Sequence, residues 1–435
     1  MNILPIANTF SLAETFNDHL AMKKYLFLIL LFPADNIGFA QSQNEQFTFP
    51  AEFEKVDAIW MGWGIHTYTD TASNQDVETI RLQMLQALTP YVKVRLIVDD
   101  TMQQKSLIEK FLALNIDTAK IIYFYSPNWH FWLRDYGPIF LRSNNGQLKG
   151  VDFGFNCYGD CRTGFVKTID ACDSTIAASL GLAVIKANIV SEGGDREFNG
   201  KGVMITNEAV ELQRNPGMTK QQLEVEFKRV LGIKKIIWLK YSSVDDSNPR
   251  LEGKLPTGVY SAGGTGGHVD ELCRFADNHT LLVERMTMQE KNKDALSQLN
   301  FLHLEANYNI LKKATDQDGK LFKIIEMPVP DFISDKHVIS DKADAFSFLG
   351  TIPGDTIRFL ASASYMNFVI ANGVVLMPKY WREGFPFSQK QKDEQAFKII
   401  QDVFPDKKIV QIDVIEFNFG SGGMHCLTQQ QPGIK

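Results

Sequence analysis

The chain lacks several features that would place it in other broad classes of protein. Its 435 residues contain no linker rich in Pro, Ser and Gly and no cluster of basic residues, and the formal net charge is −6. A nucleic-acid-binding surface would need basic clusters, whereas an acidic chain is compatible with a cationic ligand. With 44% hydrophobic and 22% charged residues, the composition is typical of a globular protein. We therefore expect one main domain and no nucleic-acid partner.

One apolar run near the start of the chain is too short to cross a membrane, which needs about 20 apolar residues. Residues 25–32 are apolar, two lysines precede them, and small residues lie just before and at Ala40. A charged start, a short apolar run and small residues at a cleavage site are typical of a bacterial signal peptide. A buried helix is the alternative interpretation.

We therefore expect three parts. Residues 1–21 would be an upstream extension from a misplaced start codon, residues 22–40 the signal peptide, and residues 41–435 a single domain. The mature protein would begin near Gln41 and be secreted or periplasmic, or cytoplasmic if the signal is not used. We expect no membrane association after cleavage, and the sequence leaves the formation of homo-oligomers open.

Cys426 follows a glycine-rich turn close to the C-terminus. An apolar, strand-like run at residues 417–419 leads into Gly420-Ser421-Gly422-Gly423. Glycine lets a ligand approach the backbone closely, so this turn can present a thiol to a flat group. A lone cysteine after a strand is more often a small buried hydrophobe. We nevertheless take Cys426 as the candidate nucleophile because of the motifs upstream of it.

The sequence contains only five cysteines. If Cys426 is the nucleophile, Cys157, Cys161, Cys172 and Cys273 form an even set that allows three disulfide pairings in an oxidising compartment. Four reduced thiols fit the sequence equally well. No His/Cys spacing indicates a zinc site, and we expect neither a metal nor another cofactor.

A repeated unit organises the chain upstream of Cys426. Each copy has a polar or glycine-containing motif, a strand, a tight Asn/Gly turn and a second strand. Helical stretches such as residues 220–231 and 390–404 lie between the copies. The motifs are Trp132–Pro138, Glu192–Arg196, Gly266–Asp270 and Ser364–Met366. A strand at residues 58–63 would complete a fifth unit with Cys426, at the end of the final strand.

Units of strand, helix and hairpin predict an α/β fold in which a ring of units buries the apolar faces of the hairpins. Each polar motif enters its hairpin at the same end, so the ring would bring all the motifs to one face. At this face we expect the side chains of Trp132, Asp135, Glu192, His268, Asp270 and Cys426.

This mixture of side chains suits a guanidinium group. Paired carboxylates accept its parallel N–H groups, and an aromatic face adds cation–π attraction. The thiol can attack the carbon of the protonated group, while His268 protonates the leaving ammonia and then activates water to hydrolyse the thiouronium intermediate. The bound cation should lower the pKa of the thiol.

Each motif also has a structural explanation. Arg134 and Asp135 could form an internal ion pair, Glu192 could stabilise a turn, and His268 could be a structural histidine. Asp270 lies two residues from His268 and would share its strand face. The common position of the motifs at hairpin entries favours the functional interpretation.

The motifs resemble, in the same order, those of agmatine deiminases and the wider bacterial peptidylarginine deiminase family. The resemblance runs from about Phe49 to the C-terminus. It rests on Trp132-x-Arg134-Asp135-x-Gly137-Pro138, Glu192-Gly193-Gly194, Gly267-His268-Val269-Asp270-Glu271, Ser364-Tyr365-x-Asn367-Phe368 with Asn372-Gly373, and the run from Gly422 to Gln430. It implies the five-fold pseudosymmetric α/β propeller of guanidino-group-modifying enzymes, built from pentein-type ββαβ repeats.

The resemblance also implies roles for individual residues. Cys426 is similar to the family's nucleophile and His268 to its acid–base residue. By the same motifs, the residues implied in catalysis are Cys426, His268, Asp135 and Asp270, and those implied in substrate binding are Glu192, Trp132 and Gly423.

The implied activity is that of a hydrolase acting on C–N bonds in linear amidines, which makes residues 41–435 a deiminase domain. Agmatine, giving N-carbamoylputrescine, is the expected substrate, and free or peptidyl arginine, giving citrulline, is the alternative. Further alternatives are an amidinotransferase and a non-catalytic binder of cationic ligands. A cysteine peptidase would need an oxyanion hole, which a ring of acids opposes.

Two segments depart from the family pattern. Agmatine deiminases usually have Trp-Pro and an Arg/Asp-rich turn where Trp63 is followed here by residues 64–68, and a Trp-Gly-Gly turn where this chain has residues 156–161. Both segments shape the far end of the pocket, so they bear on agmatine as the substrate rather than on guanidine hydrolysis. The paired arginines of the peptidylarginine type are not evident, and Arg162 is the nearest candidate.

Overall fold

The structure is a computed structural model that describes residues 46–64, 71–126, 131–159, 166–262, 264–341, 346 and 349–434. Glu45–Lys435 forms one compact unit. The expected signal peptide, Cys161, Arg162 and residues 65–68 lie outside the described residues. Within the described part of the chain, no helix combines the length and the apolar character that a membrane span requires.

Strands and helices alternate along the described chain. The strands are β1 (Phe47–Thr48), β2 (Val56–Gly62), β3 (Lys93–Val98), β4 (Ile121–Tyr125), β5 (Ile139–Ser143), β6 (Leu148–Gly154), β7 (Val184–Val190), β8 (Glu197–Phe198), β9 (Val203–Asn207), β10 (Lys235–Leu239), β11 (Tyr260–Ser261), β12 (Cys273–Phe275), β13 (Thr280–Arg285), β14 (Lys323–Pro328), β15 (Ser334–Val338), β16 (Thr356–Leu360), β17 (Val369–Ile370), β18 (Val374–Lys379), β19 (Lys408–Asp413) and β20 (Thr428–Pro432). The α-helices are α1 (Thr71–Leu88), α2 (Thr101–Ala113), α3 (Leu133–Tyr136), α4 (Val166–Asp170), α5 (Cys172–Ser179), α6 (Glu208–Arg214), α7 (Lys220–Leu231), α8 (Pro249–Glu252), α9 (Met288–Lys291), α10 (Ala295–Leu311), α11 (Phe387–Val403) and α12 (Ile415–Phe419).

Five sheets repeat one pattern of strand pairing. In each, an antiparallel pair is extended by a parallel strand that the chain reaches through one or more helices, as parallel pairing requires. The pairs and their parallel strands are β20–β2 with β3, β5–β6 with β7, β8–β9 with β10, β12–β13 with β14, and β17–β18 with β19. The α/β class and the four predicted hairpins are thereby confirmed. A further sheet, β11-β16-β15, also has an antiparallel pair and a parallel strand, but its parallel strand β11 precedes the pair in the chain.

Helix α7 illustrates why these crossover helices form where they do. The side chain of Thr219 accepts a hydrogen bond from the backbone of Gln222, whose own side chain bonds back to Thr219 in a capping box. The helix ends at Gly232, which has a φ of 64° and therefore suits a residue without a Cβ. Leu223 and Phe227, four residues apart, are buried in the cluster that lines β6 and β9. The helix has the bounds that the sequence predicts.

The last unit joins the two ends of the described chain. Strand β20 pairs antiparallel with β2, so that Trp60 faces Gln429, and Nε1 of Trp60 donates to Oε1 of Gln431 at 3.0 Å. The amide of Arg134 donates to the carbonyl of Cys426 at 3.0 Å. These bonds fix the position of Cys426 from both sides, because the residue lies two positions before β20.

The structure corrects three expectations about local conformation. Residues 417–419 belong to helix α12 rather than to a strand, and Cys426 lies before the final strand rather than at its end. The carbonyl of Asn418 accepts from the amide of Ser362, and the amide of Gly420 donates to the carbonyl of Phe417, which favours the helical turn. His268 and Asp270 also share no strand face, because Val269–Glu271 forms a 3₁₀ turn that begins after His268.

Candidate active site

Five of the predicted side chains lie in one buried cluster at the entries of four sheets. Nδ1 of His268 lies 3.6 Å from Oδ1 of Asp135, and Nε2 lies 3.5 Å from Oε2 of Glu192. Sγ of Cys426 lies 3.6 Å from Oδ2 of Asp270. Each of the five residues is at most 5% exposed. The structure thus brings a thiol, an imidazole and three carboxyl groups together.

The glycines before Cys426 make room for protein side chains. A Cβ at Gly422 would lie 2.7 Å from the ring of Trp132, and one at Gly423 would lie 2.3 Å from Oδ1 of Asn367. Nδ2 of Asn367 lies 3.2 Å from Sγ of Cys426. Oδ1 of Asn367 accepts a hydrogen bond from the amide of His425 at 2.9 Å. Contact between Gly423 and a ligand stays a prediction, and so does contact between Trp132 and a ligand.

The thiol of Cys426 is neutral in this environment at neutral pH. Burial raises its pKa well above the ordinary value, and the nearby carboxyl groups of Asp270, Glu271 and Asp135 raise it further. A cation placed next to the thiol would act in the opposite direction, because it stabilises the thiolate.

A buried aspartate builds the loop that presents His268. Oδ2 of Asp246 accepts from the amides of Gly267 at 3.1 Å and His268 at 3.0 Å, and its Oδ1 accepts from the amide of Thr265 at 2.8 Å. Gly267 has a φ of 121°, and a Cβ there would lie 2.7 Å from the side chain of Asn207. The loop therefore requires glycine at this position.

His268 carries a proton at neutral pH. Burial alone lowers its pKa, but the carboxylates of Asp135 and Glu192 outweigh burial and raise the pKa to about 10. Neither ring nitrogen has a hydrogen-bond partner in the part of the chain that the structure describes. The charged ring is therefore positioned by ion pairs and retains protons that it can donate to a ligand.

Asp135 is held by two donors. Its Oδ2 accepts from the hydroxyl of Tyr158 at 2.9 Å, and its Oδ1 accepts from the amide of Gly194 at 3.1 Å. Burial raises the pKa of Asp135 to about 6, although the charge of His268 opposes this shift. Its charge state therefore changes just below neutral pH.

Glu192 forms an ion pair with Arg214. Nε of Arg214 lies 2.8 Å from one carboxylate oxygen and 3.0 Å from the other, and Nη2 donates to the carbonyl of Thr265 at 2.6 Å. Burial alone would raise the pKa of Glu192, but Arg214 and His268 outweigh it and lower the pKa to about 2. Glu192 is thus a permanent anion that faces His268.

Asp270 is tied to a second histidine. Nδ1 of His425 lies 2.7 Å from Oδ2 of Asp270, and Nε2 lies 2.9 Å from Oε2 of Glu52. Burial raises the pKa of Asp270, but the hydrogen bond and charge of His425 outweigh it, so that the net shift is downward. Oδ1 of Asp270 has no hydrogen-bond partner among the described residues. One oxygen is therefore held and the other is available.

Glu52 also forms ion pairs with two buried arginines next to the site. Its carboxylate contacts Nη1 of Arg134 at 2.6 Å and the guanidinium of Arg274. Arg134 therefore pairs with Glu52, and the predicted alternative of an ion pair between Arg134 and Asp135 is wrong. Because this pairing compensates the charge of Arg134, Asp135 remains available to a ligand.

Two groups of side chains in the described residues have the geometry of metal ligands. Asp270, Glu271 and Cys426 offer atoms within 4.8 Å of one another, as do His279, Asp316 and Asp318 near the protein surface. Asn367 already donates to Glu271 at 2.8 Å, and His425 already bonds Asp270. Hydrogen bonds thus engage the first group without a metal.

Sequence reasoning did not assign roles to several residues that build the site. Asn367 and His425 lie within the quoted motifs, so their position next to Asp270 and Cys426 was the available signal. Tyr158 lies in the segment 156–161 that departs from the family pattern, whereas no local pattern marks Glu52 or Arg214. Cys172 and Cys273 are buried free thiols.

Comparisons with known proteins agree with the resemblance of the motifs. The model of the Porphyromonas-type peptidyl-arginine deiminase family matches residues 48–432. An agmatine deiminase from Medicago truncatula is 26% identical over 412 residues, which cover 89% of this chain and 97% of that protein.

Solved structures give the same result. The agmatine deiminase of Enterococcus faecalis is 26% identical, with a TM-score of 0.69 over 90% of this chain and 97% of its own. The agmatine deiminase of C. jejuni, at 22% identity and a TM-score of 0.66 over 90% of this chain and 98% of its own, shares the fold. The chain therefore belongs to the Porphyromonas-type peptidyl-arginine deiminase family, and it is a hydrolase that acts on C–N bonds.

Proposed function

We propose that this protein hydrolyses a guanidino group to a ureido group with release of ammonia, and that agmatine is its substrate. One observation carries the proposal: in the cluster that contains the thiol of Cys426, the ring nitrogens of His268 and Oδ1 of Asp270 are buried without hydrogen-bond partners in the described chain. Buried polar groups are nearly always paired. A planar ligand with several N–H groups and one positive charge would donate hydrogen bonds to Oδ1 of Asp270 and offset the negative charge of the buried carboxylates.

Binding would place the guanidinium between the two aspartates. Asp270 is ionised and offers Oδ1, while Asp135 is ionised above pH 6. Carboxylates bind a guanidinium through charge-assisted hydrogen bonds, which are about twice as strong as neutral ones. The arriving cation lowers the pKa of Cys426, so that the thiol releases its proton to solvent when the substrate is bound.

In the first step, the thiolate of Cys426 attacks the guanidinium carbon and forms a C–S bond. His268 donates its proton to one nitrogen, the C–N bond breaks, and ammonia leaves. The product of this step is a positively charged thiouronium group on Cys426. His268 is then neutral.

In the second step, water gives a proton to neutral His268 while its oxygen attacks the thiouronium carbon. A carbonyl forms, the C–S bond breaks, and the thiolate takes up the proton that the hydroxyl loses. The products are the ureido compound and ammonia, and both Cys426 and His268 return to their resting protonation states. Glu192 favours the charged form of His268 in each cycle because it is an anion 3.5 Å away.

Agmatine fits the charge of the site better than arginine does. Agmatine carries an amine at its far end, whereas arginine carries a carboxylate as well. The cluster is acidic, and Arg214 is already paired with Glu192. The relatives named agmatine deiminases support the same choice. Free or peptidyl arginine is the alternative substrate.

We also propose that the five sheet units form the five-fold pseudosymmetric propeller of pentein type. Support comes from the identical pairing pattern of the five sheets and from the pairing of β20 with β2, which makes one unit from both ends of the chain. The proposed export after cleavage near Gln41 rests on the sequence alone. Mass analysis of the secreted protein would show residues 1–21 retained if that proposal is wrong.

The substrate is tested by ammonia release from agmatine, arginine and arginyl peptides at equal concentration. We expect the highest kcat/KM with agmatine and N-carbamoylputrescine as the product. A higher kcat/KM with arginine or a peptide, with citrulline as product, would assign the alternative substrate. Capture of the amidino group by an added amine would identify an amidinotransferase. Absence of turnover with every guanidino compound would overturn the proposed function.

A further inference from the structure

We propose that Tyr158 is a positioning residue that fixes the orientation of Asp135, an inference that rests on the proposed function. Its hydroxyl donates to Oδ2 of Asp135 at 2.9 Å. The other oxygen of the carboxylate accepts from the amide of Gly194 and faces Nδ1 of His268 at 3.6 Å. Tyr158 and Gly194 together therefore determine which way the carboxylate points.

The backbone that carries Tyr158 has an unusual conformation. Cys157, Tyr158 and Gly159 have φ values of 50°, 58° and 85° in succession. The left-handed region is unfavourable for an L-residue other than glycine, because Cβ comes too close to the following carbonyl oxygen. A bulky residue in this region is rare, and such conformations concentrate at sites where the surroundings impose them. The turn thus has a conformation that its own sequence disfavours.

Specific contacts impose this conformation. The amide of Gly159 donates to Oδ1 of Asn156 at 2.8 Å, and Nδ2 of Asn156 donates to the carbonyl of Arg214 at 3.2 Å. A Cβ at Gly159 would lie 2.1 Å from Nε2 of Gln213. The turn is therefore attached to the C-terminal end of helix α6.

This attachment links two walls of the site through one aromatic side chain. Arg214 holds Glu192, and its guanidinium carbon lies 5.9 Å from the centre of the Tyr158 ring. The same ring lies 6.2 Å from that of His268. Tyr158 therefore fixes Asp135 relative to both Glu192 and His268, which a general packing role would not require.

The charges around Asp135 give this contact a measurable effect. Asp135 faces the anions Glu192 and Asp270 and the cation His268, and burial raises its pKa to about 6. The hydrogen bond from Tyr158 lowers that pKa. Burial and the neighbouring carboxylates hold the pKa of Tyr158 well above its usual value, so the hydroxyl remains a donor throughout the range of an assay.

The test is the pH profile of kcat/KM with agmatine for Tyr158→Phe. We expect the acid limb to move upward by about one pH unit, since a hydrogen bond to a charged group is lost. At pH 6 the variant should therefore lose about fivefold more kcat/KM, relative to wild type, than at pH 8. An acid limb at the wild-type pH would overturn the inference.

A matched control removes a similar hydroxyl elsewhere. Tyr365 is buried, and its hydroxyl donates to the carboxylate of Asp393 on helix α11. Tyr365→Phe should keep the wild-type acid limb, even if it lowers thermal stability. In an Asp135→Asn background, Tyr158→Phe should have no further effect on the profile, because the two changes remove the same interaction.

Two further outcomes separate this inference from the proposed function. If wild type turns over no guanidino compound, the proposed function fails, whereas a wild-type profile for Tyr158→Phe in an active enzyme rejects the role of Tyr158 alone. Should Tyr158→Phe fold poorly in thermal unfolding measurements, Asn156→Ala loosens the same turn and leaves the tyrosine in place. It should move the acid limb in the same direction, and an unmoved limb would contradict the role of the turn.

Discussion

Two aspartates flank the thiol of Cys426, and their surroundings shift their pKa values in opposite directions. Asp135 is buried between neutral donors, and its pKa is raised to about 6. Asp270 is equally buried, but His425 holds one of its oxygens, and its pKa is lowered. The difference shows that burial alone does not determine charge at this site. The permanent anion is the aspartate that a histidine hydrogen-bonds, whereas His268 lies 3.6 Å from Oδ1 of Asp135.

The partner behind Asp270 is itself held by a carboxylate. His425 lies between Asp270 and Glu52, and Glu52 also contacts Arg134 and Arg274. Asp135 also faces a histidine backed by a carboxylate, because His268 lies 3.6 Å from its Oδ1 and 3.5 Å from Glu192, but its hydrogen-bond donors are Tyr158 and the amide of Gly194. We therefore expect Asp270 to hold the cation at every assay pH and Asp135 to do so only above its pKa.

Among the changes that compare the two aspartates, the largest effect should come from removing the permanent anion, Asp270. Asp270→Asn should lower kcat/KM for agmatine on the order of 10³-fold, because a preorganised charge at a buried site is lost. Asp135→Asn should lower it less, on the order of 10²-fold at pH 8. Steady-state ammonia release measures both values. Equal losses in the two variants would contradict the proposed difference between the aspartates.

A smaller effect should follow from loosening the support of Asp270. Glu52→Gln keeps the size of the side chain but removes the charge that faces His425 and two arginines. Because hydrogen bonds to charged groups contribute about 1.5–3 kcal/mol, we expect kcat/KM to fall roughly tenfold to 100-fold.

Thermal unfolding must accompany this measurement, since the same carboxylate binds Arg134 and Arg274. Lys110 and Glu78 form an exposed ion pair on the surface, so Glu78→Gln is a matched control that should leave kcat/KM unchanged. A folded Glu52→Gln variant with wild-type kcat/KM would show that His425 positions Asp270 without Glu52.

Much of this arrangement could be predicted from local sequence pattern, and the rest could not. The hairpins and helix α7 follow from two-residue and 3.6-residue periodicities that are local. The order of the hairpins led to the expectation that Asp135, His268 and Cys426 would meet. Their catalytic roles remain proposals that the variants must test.

The sequence pattern missed the helical form of α12 and the role of Glu52 for physical reasons. The run Ile415-Glu416-Phe417-Asn418-Phe419 alternates apolar and polar residues like a strand. Its helical form depends on a distant contact, because the carbonyl of Asn418 accepts from the amide of Ser362. A periodicity cannot report such contacts. Glu52 was missed for the same reason, since His425 lies 373 residues away.

We expect the smallest effect in the pH dependence of kcat/KM, which reports on the ionisation of Asp135. Asp135 must be ionised to hold the cation, so kcat/KM should fall as the pH drops through about 6. His268 must be protonated to release ammonia, so activity should fall as the pH rises through about 10. In Asp135→Asn the acid limb near pH 6 should disappear while the alkaline limb remains. An acid limb that persists unchanged would assign it to another group.

The central claim is that the thiol of Cys426 is the nucleophile, and one measurement tests it directly. Ammonia release from agmatine at pH 8 is compared for wild type, Cys426→Ala and Cys172→Ala, which removes another buried thiol. We predict a loss on the order of 10⁴-fold or more for Cys426→Ala, since a covalent route is removed, and wild-type activity for a folded Cys172→Ala. Ammonia release by Cys426→Ala within tenfold of wild type would contradict the claim.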